Sequence, residues 1–406
     1  MPASETGIRI PGVAIEEPFV SAYVITRLIL TDFRNYTHLK VETDARPVVL
    51  TGANGSGKTN LLEAISFLTP GRGLRRAKLV DVAKTNGAGG WAVAAEVHSA
   101  DGECRLGTGL LAGGGSTEGE PTERRQVRID GQTMSGAAAL ADYFRVSWLT
   151  PQMDRLFQEG ASGRRRFLDR LTFGLDPAHG RRMTSFEKVM RERNRLLKEG
   201  RFDRHWLASL ERTLAQTGTA IAAARREATE RLNGVMSATE QDAPARAFPK
   251  AELGAEGLLE GWLEEMSALA VEDRYREELE TARRQDAITG STGQGPHRSD
   301  LAVLHKDKGM PAALCSTGEQ KALLISIILG DARLQAGLQG RAPVLLLDEI
   351  TAHLDARRRT ALFDEIEDMK TQAWMTGTDY ALFSELGSRA QFLTVENGAL
   401  CQTAGR

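Results

Sequence analysis

The chain has 406 residues, 41% of them hydrophobic and 26% charged, with a formal net charge of −2. This composition excludes a disordered or fibrous chain, and the length exceeds one ordinary core, so two or three domains are expected, one of them an insertion. No apolar run approaches the ~18 residues of a membrane-spanning helix, and the N-terminal MPASETGIRIPGVAIEEPF lacks the basic start and apolar stretch of a secretory signal, so a cytoplasmic protein with no membrane partner is expected. Cys104, Cys315 and Cys401 lie far apart and show neither C-x-x-C nor Cys/His ligand spacing, so free thiols are expected.

Residues 1–22 are punctuated by Pro and Gly without periodicity and are expected to form a flexible N-terminal extension. Val24 to Phe33 is a β-rich run and Tyr36 to Glu42 alternates, which predicts two strands joined by a turn at Arg34-Asn35. Pro47 to Thr51 is an apolar strand, and Asn60 to Leu68 reads as a helix. Between them Gly52-Ala53-Asn54-Gly55-Ser56-Gly57-Lys58-Thr59 fits the G-x-x-x-x-G-K-[ST] phosphate loop in full. Glycines let backbone N–H groups turn onto phosphate oxygens, and the helix start favours negative charge. Lys58 is then placed to reach the β- and γ-phosphates, and Thr59 to supply a Mg²⁺ ligand. A bare glycine turn before a helix is common, but the whole pattern between a strand and a helix is specific.

Trp91 to Val97 and Cys104 to Leu111 read as paired strands, and Gln126 to Ile129 as another, after a polar stretch, Ala112 to Thr122, expected to be a surface loop. Val146 to Thr150 is a short strand that delivers Gln152 to a loop. From Gly163 the period becomes helical, with Phe186, Val189, Met190, Arg193, Leu196 and Leu197 marking one amphipathic helix and a break near Gly200. A second helix is predicted from about Arg204 to Met236, its Leu207, Leu210, Leu214 and Ile221 suiting an antiparallel pair. With 13 Lys/Arg against 6 Asp/Glu, Gly163 to Arg204 carries +7, whereas Thr239 to Asp286, with 6 against 13, carries −7. The basic segment is a candidate phosphate-tracking surface or a solvated helix face.

After Pro244 and Pro249 an acidic helix is predicted over Leu258 to Arg284, then a Gly/Ser/Thr loop to Pro296 and a strand at about Ala302 to His305. Ser316-Thr317-Gly318-Glu319-Gln320-Lys321 opens an apolar helix running to about Gly337. Ser316 with Glu319 makes a capping box, and the same helix start is an anion site. Pro343 to Leu347 is a continuous apolar run ending in Asp348-Glu349, as expected of a parallel strand buried on both faces. Asp348 is a candidate Mg²⁺ ligand and Glu349 a candidate base for the water that attacks a γ-phosphate. A helix from Arg357 to Asp368 and strands at Gln372 to Met375 and Phe392 to Glu396 complete an α/β alternation.

Gln152, Ser316 to Gln320, Leu345 to Glu349 and Ala352-His353-Leu354-Asp355 follow the order Q-loop, signature, Walker B and D-loop of the ABC-type ATPases. The long helical segment between phosphate loop and signature resembles the SMC-like branch. Within it the chain is similar to the RecF family of bacterial recombination mediators, on ILTDFRNY (29–36), Gly52 to Asn60, Arg164 to Asp169, GPHRSDL (295–301), Ser316 to Lys321, Leu347-Asp348-Glu349 and TGTD (376–379).

The resemblance implies an α/β ABC/SMC-like P-loop ATPase head with an inserted helical arm: a head N-terminal lobe over 23–158, the arm over 159–290 and a head C-terminal lobe over 291–406. It implies ATP with Mg²⁺, the metal on Thr59, Gln152 and Asp348, and slow DNA-stimulated hydrolysis with Glu349, Lys58 and Gln152 as catalytic residues. Arg34, Asn35 and Asn60 are expected near the nucleotide. An ATP-dependent homodimer is implied, in which Ser316, Gly318 and Glu319 reach the partner's nucleotide and Asp355 lines the interface. Thr378 stands where transporter-type ATPases carry a switch histidine. Double-stranded and gapped DNA, RecR and RecO, with RecA downstream, are the implied partners.

DNA contacts are expected among Arg72, Arg75, Arg76 and Lys78 of the head and Arg164, Arg165, Arg166, Arg181, Arg182, Arg191, Arg193 and Arg195 of the arm, such contacts positioning without reading sequence. For Arg164 to Arg166, pairing within the arm to Asp169 or Asp176 is the other reading. Two further classes fit fewer features. A transporter ATPase subunit lacks a reason for the long helical segment, and a non-catalytic interaction protein lacks a reason to keep Lys58, Asp348 and Glu349.

Overall fold

A computed structural model describes residues 9–10, 13–14, 21–87, 89–111, 125–200, 203–238, 247–352, 354–396 and 398–402. Most of the expected N-terminal extension and the whole Gly-rich stretch near Gly113 lie outside them. The chain divides into two compact units, Met1–Met153 with Ala245–Phe248 and Ile328–Arg406, and Asp154–Pro244 with Pro249–Ile327. The second unit extends further toward the C-terminus than the 159–290 expected for an arm, and it takes in the Ser316 to Lys321 segment.

After the two-residue strands Arg9–Ile10, Val13–Ala14 and Ser21–Ala22, the first unit continues with β1 (Val24–Phe33) and β2 (Tyr36–Glu42), an antiparallel hairpin in register from Arg27 opposite Glu42 to Phe33 opposite Tyr36. Next come β3 (Val48–Thr51), α1 (Lys58–Ser66), β4 (Trp91–Ser99), β5 (Gly102–Leu110), β6 (Gln126–Ile129) and β7 (Gln132–Thr133). One sheet has the order β7-β6-β5-β4-β1-β2, all antiparallel. Burial alternates along β4, so one face of this sheet meets the core. Phe33, Phe67 and Trp91 pack there at ring separations of 5.0 to 6.0 Å. The short β8 (Val146–Leu149) belongs to the second sheet of this unit.

The second unit is mainly helical: α2 (Ala161–Leu175), α3 (His179–Lys198) and α4 (Arg204–Ala238), then β9 (Ala251–Glu256), α5 (Leu258–Glu265), α6 (Ala268–Thr281) and α7 (Arg283–Thr289). Two further strands, β10 (Asp300–His305) and β11 (Met310–Pro311), pair antiparallel in the order β9-β10-β11. Phe186, Leu214, Ile221, Val271, Tyr275 and Leu279 form the centre of its core. The acidic stretch expected as one helix is three. Met266 adopts an extended conformation and Ser267 caps the next start, its Oγ accepting the Ala270 N–H at 3.4 Å.

The helix α8 (Thr317–Gln339) spans the division between the units. Back in the first unit follow β12 (Val344–Leu347), α9 (Ala356–Asp368), β13 (Ala373–Thr376), β14 (Gln391–Glu396) and β15 (Ala399–Gln402). The second sheet has the order β8-β12-β13-β3-β14-β15, parallel except for the last pair. Every residue of β3, β12 and β13 is buried, as the continuous apolar runs require of central parallel strands. The C-terminal ends of β3, β12 and β13, neighbours in the sheet, therefore deliver Gly52, Asp348 and Gly377 to one edge, the edge where open parallel sheets bind ligands.

Candidate nucleotide site

The phosphate loop leaves β3 at Gly52, whose φ of +138° suits glycine, and a Cβ there would stand 2.4 Å from the Val395 carbonyl oxygen. Gly57, at φ +120°, is pressed as closely, since a Cβ would meet Asn35 Nδ2 at 2.6 Å and the Tyr36 hydroxyl at 2.7 Å. The loop is thus braced from outside by the β1–β2 turn. Asn35 Nδ2 donates to Ser56 O at 3.0 Å, Tyr36 Oη to Gly57 O at 3.1 Å, and Asn60 Nδ2 to Asn35 Oδ1 at 2.7 Å.

Lys58 is 5% exposed and its Nζ donates to the carbonyls of Gly52 at 2.6 Å and Ala53 at 2.9 Å. Burial lowers its pKa, against the opposing pull of Glu349 and Asp348. A cation short of solvent and held by neutral carbonyls is well suited to an anionic oxygen. Thr59 Oγ1 donates to Asp348 Oδ1 at 2.9 Å, so the phosphate loop and the end of β12 meet directly. Asp348 Oδ1 takes a second hydroxyl from Thr376 at 2.8 Å, and the same Thr376 oxygen accepts the Glu349 N–H at 2.8 Å. Glu349 itself has φ +48°, a left-handed conformation uncommon outside glycine.

Beneath the loop, Arg34 donates Nε and Nη2 to the two oxygens of Glu63, at 2.9 and 2.7 Å, and Arg75 donates Nη1 to Glu63 at 3.1 Å and to Asn60 at 2.7 Å. Glu63 is fully buried and both its oxygens are held by these two guanidinium groups. Arg34 is therefore a brace for α1, and Asn35 is the turn residue that meets the loop. Gln152 lies exposed in the single-turn helix Pro151–Arg155, and Thr378 is exposed beyond β13. Asp355 caps α9, accepting the Arg358 N–H at 2.9 Å. Ala53, Asn54 and Gly55 form the exposed crest of the loop.

In the second unit Ser316 N donates to Glu319 Oε2 at 3.0 Å, Ser316 Oγ to the same oxygen at 2.9 Å, and Glu319 N to Ser316 Oγ at 3.4 Å. This is the expected capping box, with Lys308 as a further donor to Glu319. Lys308 and the Ser316 donors pull the Glu319 carboxyl down to about 2. A Cβ on Gly318 would meet nothing within 4 Å, which leaves this helix start open to an approaching group.

The basic residues separate sharply. Arg72, Arg76, Lys78, Arg166, Arg181, Arg191 and Arg195 are exposed. Arg164 is paired to Asp300 at 2.6 and 2.9 Å, in place of the expected Asp169 or Asp176, and Arg165 donates to Ser299 O at 2.6 Å. Arg182 pairs with Asp176. Arg193 corrects the expectation outright: it is fully buried, bound to Glu211 at 3.1 Å and Asp286 at 2.7 Å, and no phosphate reaches it. The helical period of α3 puts it on the core face with Phe186, Leu196 and Leu197, as the spacing of these positions indicates and a count of charges does not. His297 is internal as well, its Nε2 2.9 Å from Thr292 O and its ring 5.8 Å from that of Phe186.

A phosphate loop after β3, an acidic pair after β12 at the same edge of the parallel sheet, and a separate capped helix start at Ser316 define an ATPase head of the SMC-like class. The family model described as RecF/RecN/SMC N terminal domain matches residues 24–399. The DNA replication and repair protein RecF of Mesorhizobium japonicum is 50% identical over 379 residues, which covers 93% of this chain and 98% of that one. Its counterpart from Brucella suis biovar 1 is 52% identical over 377 residues, with 93% and 95% covered. A solved structure of the recombination mediator protein RecF with ATP shares the fold at a TM-score of 0.79 and 22% identity, covering 94% of this chain and 99% of that one. The chain belongs to the RecF family of DNA replication and repair proteins.

Proposed function

We propose that this chain is an ATP-gated DNA clamp: it binds ATP with Mg²⁺ at Gly52 to Thr59, dimerises head to head on the nucleotide, and holds double-stranded DNA near single-strand/duplex junctions. With RecR and RecO it then helps load RecA at gaps, and slow hydrolysis dissolves the dimer. The observation that carries this reading is the direct contact of Thr59 with Asp348 beside a desolvated Lys58.

The donor set suits the metal. Among the described residues there is no group of three or more His, Cys, Asp or Glu that could hold an ion alone, whereas one hydroxyl and one carboxylate suit a Mg²⁺ that takes its remaining ligands from phosphates and water. When bound, the ion neutralises charge building on the β- and γ-oxygens. Lys58 exchanges its two carbonyl partners for phosphate oxygens. Glu349 accepts a proton from water as the water oxygen bonds to the γ-phosphorus and the bond to the β–γ bridging oxygen breaks. Ser316 and Gly318 of a second copy would present the open helix start to the same γ-phosphate.

Lys58→Ala tests the gating. Light scattering should show the wild-type chain doubling in mass with ATP and the variant remaining monomeric; a variant that dimerises like the wild type would mean that the nucleotide is not the glue.

A further inference from the structure

The strand β13 lies between β12, which ends in the acidic pair, and β3, which feeds the phosphate loop. Its register sets Met375 opposite Leu347 on one side and Thr376 opposite Leu50 on the other. Thr376 is therefore the last residue of the middle strand, fully buried, with the phosphate loop to one side and the acids to the other. One hydroxyl there makes two bonds of 2.8 Å, donating to Asp348 Oδ1 and accepting the Glu349 N–H. A hydroxyl has one proton, so this pairing fixes its direction: the proton lies toward Asp348 and a lone pair toward Glu349.

The two partners need holding. Asp348 Oδ1 already receives Thr59, and Thr376 puts a second hydroxyl on the same oxygen, so neither of these hydroxyls occupies Oδ2. Glu349 sits at φ +48°, a conformation that persists only where its surroundings fix it, and Thr376 supplies the bond to its backbone N–H.

We propose that Thr376 is a positioning residue for hydrolysis, its single hydroxyl setting the rotamer of Asp348 and the backbone twist of Glu349 together. The proposal rests on the reading that Asp348 holds the metal and Glu349 takes the proton. It places the connection between metal and base on Thr376, whereas Thr378, two residues further on, is exposed.

Thr376→Val keeps the shape and removes the hydroxyl. The expected result is a kcat lower by about 10- to 100-fold, the usual consequence of losing an outer-shell partner, with KM for ATP within about threefold and Thr376→Ser restoring most of the rate. On a Glu349→Gln background Thr376→Val should lower kcat by less than it does alone, because the part of its effect that runs through Glu349 is already lost and only the part through Asp348 remains. If the valine variant fails to fold, Thr376→Ala carries the same comparison. A Thr376 variant within about twofold of wild-type kcat, or one whose loss adds fully to that of Glu349→Gln, overturns the proposal. Wild-type activity in Glu349→Gln alone would instead overturn the assignment of the base.

Discussion

Thr59 and Asp348 are 289 residues apart in sequence, and their side chains meet at 2.9 Å. The contact joins the first turn of α1 to the end of β12, so the two residues proposed to hold the metal are brought together by the sheet topology. Asp348→Ala should remove the Mg²⁺ dependence of ATP binding measured by calorimetry, weakening binding in Mg²⁺ while leaving metal-free binding close to wild type. An unchanged Mg²⁺ titration would take Asp348 out of the metal position.

Glu349, the proposed base, lies one residue beyond Asp348 at φ +48°, its backbone N–H bonded to the Thr376 hydroxyl. Glu349→Gln preserves the shape and loses the base, so phosphate release should fall by about 10²- to 10⁴-fold while ATP still binds. Because hydrolysis is proposed to dissolve the dimer, the ATP-induced dimer should also live longer by gel filtration. A short-lived dimer with slow hydrolysis would uncouple the two events.

The helical unit is held by a buried charge cluster. Arg193 binds Glu211 and Asp286, and Arg225 binds Asp169, with both arginines fully buried. Arg193→Met leaves Asp286 without its cation, and the loss of one partner of such a pair costs about 3 to 5 kcal/mol. Urea unfolding of the full chain should show it. Arg181→Ala, on the exposed face of the same helix, should stay within about 0.5 kcal/mol of wild type. Equal effects of the two would contradict the separation into core and surface arginines.

Asp169 supplies a pH signature. Burial pushes its carboxyl up, but the hydrogen bond from His179 and the charge of Arg225 outweigh that and hold it below the ordinary aspartate value of 3.8. A depressed carboxylate contributes stability that is fully present above the unfolded value and is lost as pH falls through the folded one. Asp169→Asn should therefore lower stability at neutral pH and flatten the loss below about pH 4 in acid unfolding followed by circular dichroism. An acid limb as steep as the wild type's would contradict the assignment.

Much of this molecule was legible as pattern. The hairpin at Arg34-Asn35, the loop from Gly52 and the buried run to Leu347 each announce themselves locally, through alternation, glycine spacing or continuous apolarity. What stayed hidden depends on partners distant in sequence. The strand β9 needs β10 opposite it, with Asn233 holding Leu253 through both its amide groups at 2.8 and 2.9 Å. Thr376 opens the TGTD segment just past the expected strand Gln372 to Met375, and only the sheet order puts it between the acids and the loop. Arg34 is expected near the nucleotide from the resemblance alone, and its pairing with the buried Glu63 on α1 is a long-range contact that the sequence does not announce. Arg193 shows the same limit from the other side, since a net charge cannot distinguish a phosphate contact from a core ion pair.

The central claim is that nucleotide, second copy and DNA are coupled. Sedimentation of the chain with gapped DNA, with and without ATP, tests all three together. The expected result is a dimer on DNA only when ATP is present, with an affinity that falls steeply as salt rises because several exposed cations release counterions at once. A monomer on DNA in both conditions, or binding indifferent to salt, would contradict it.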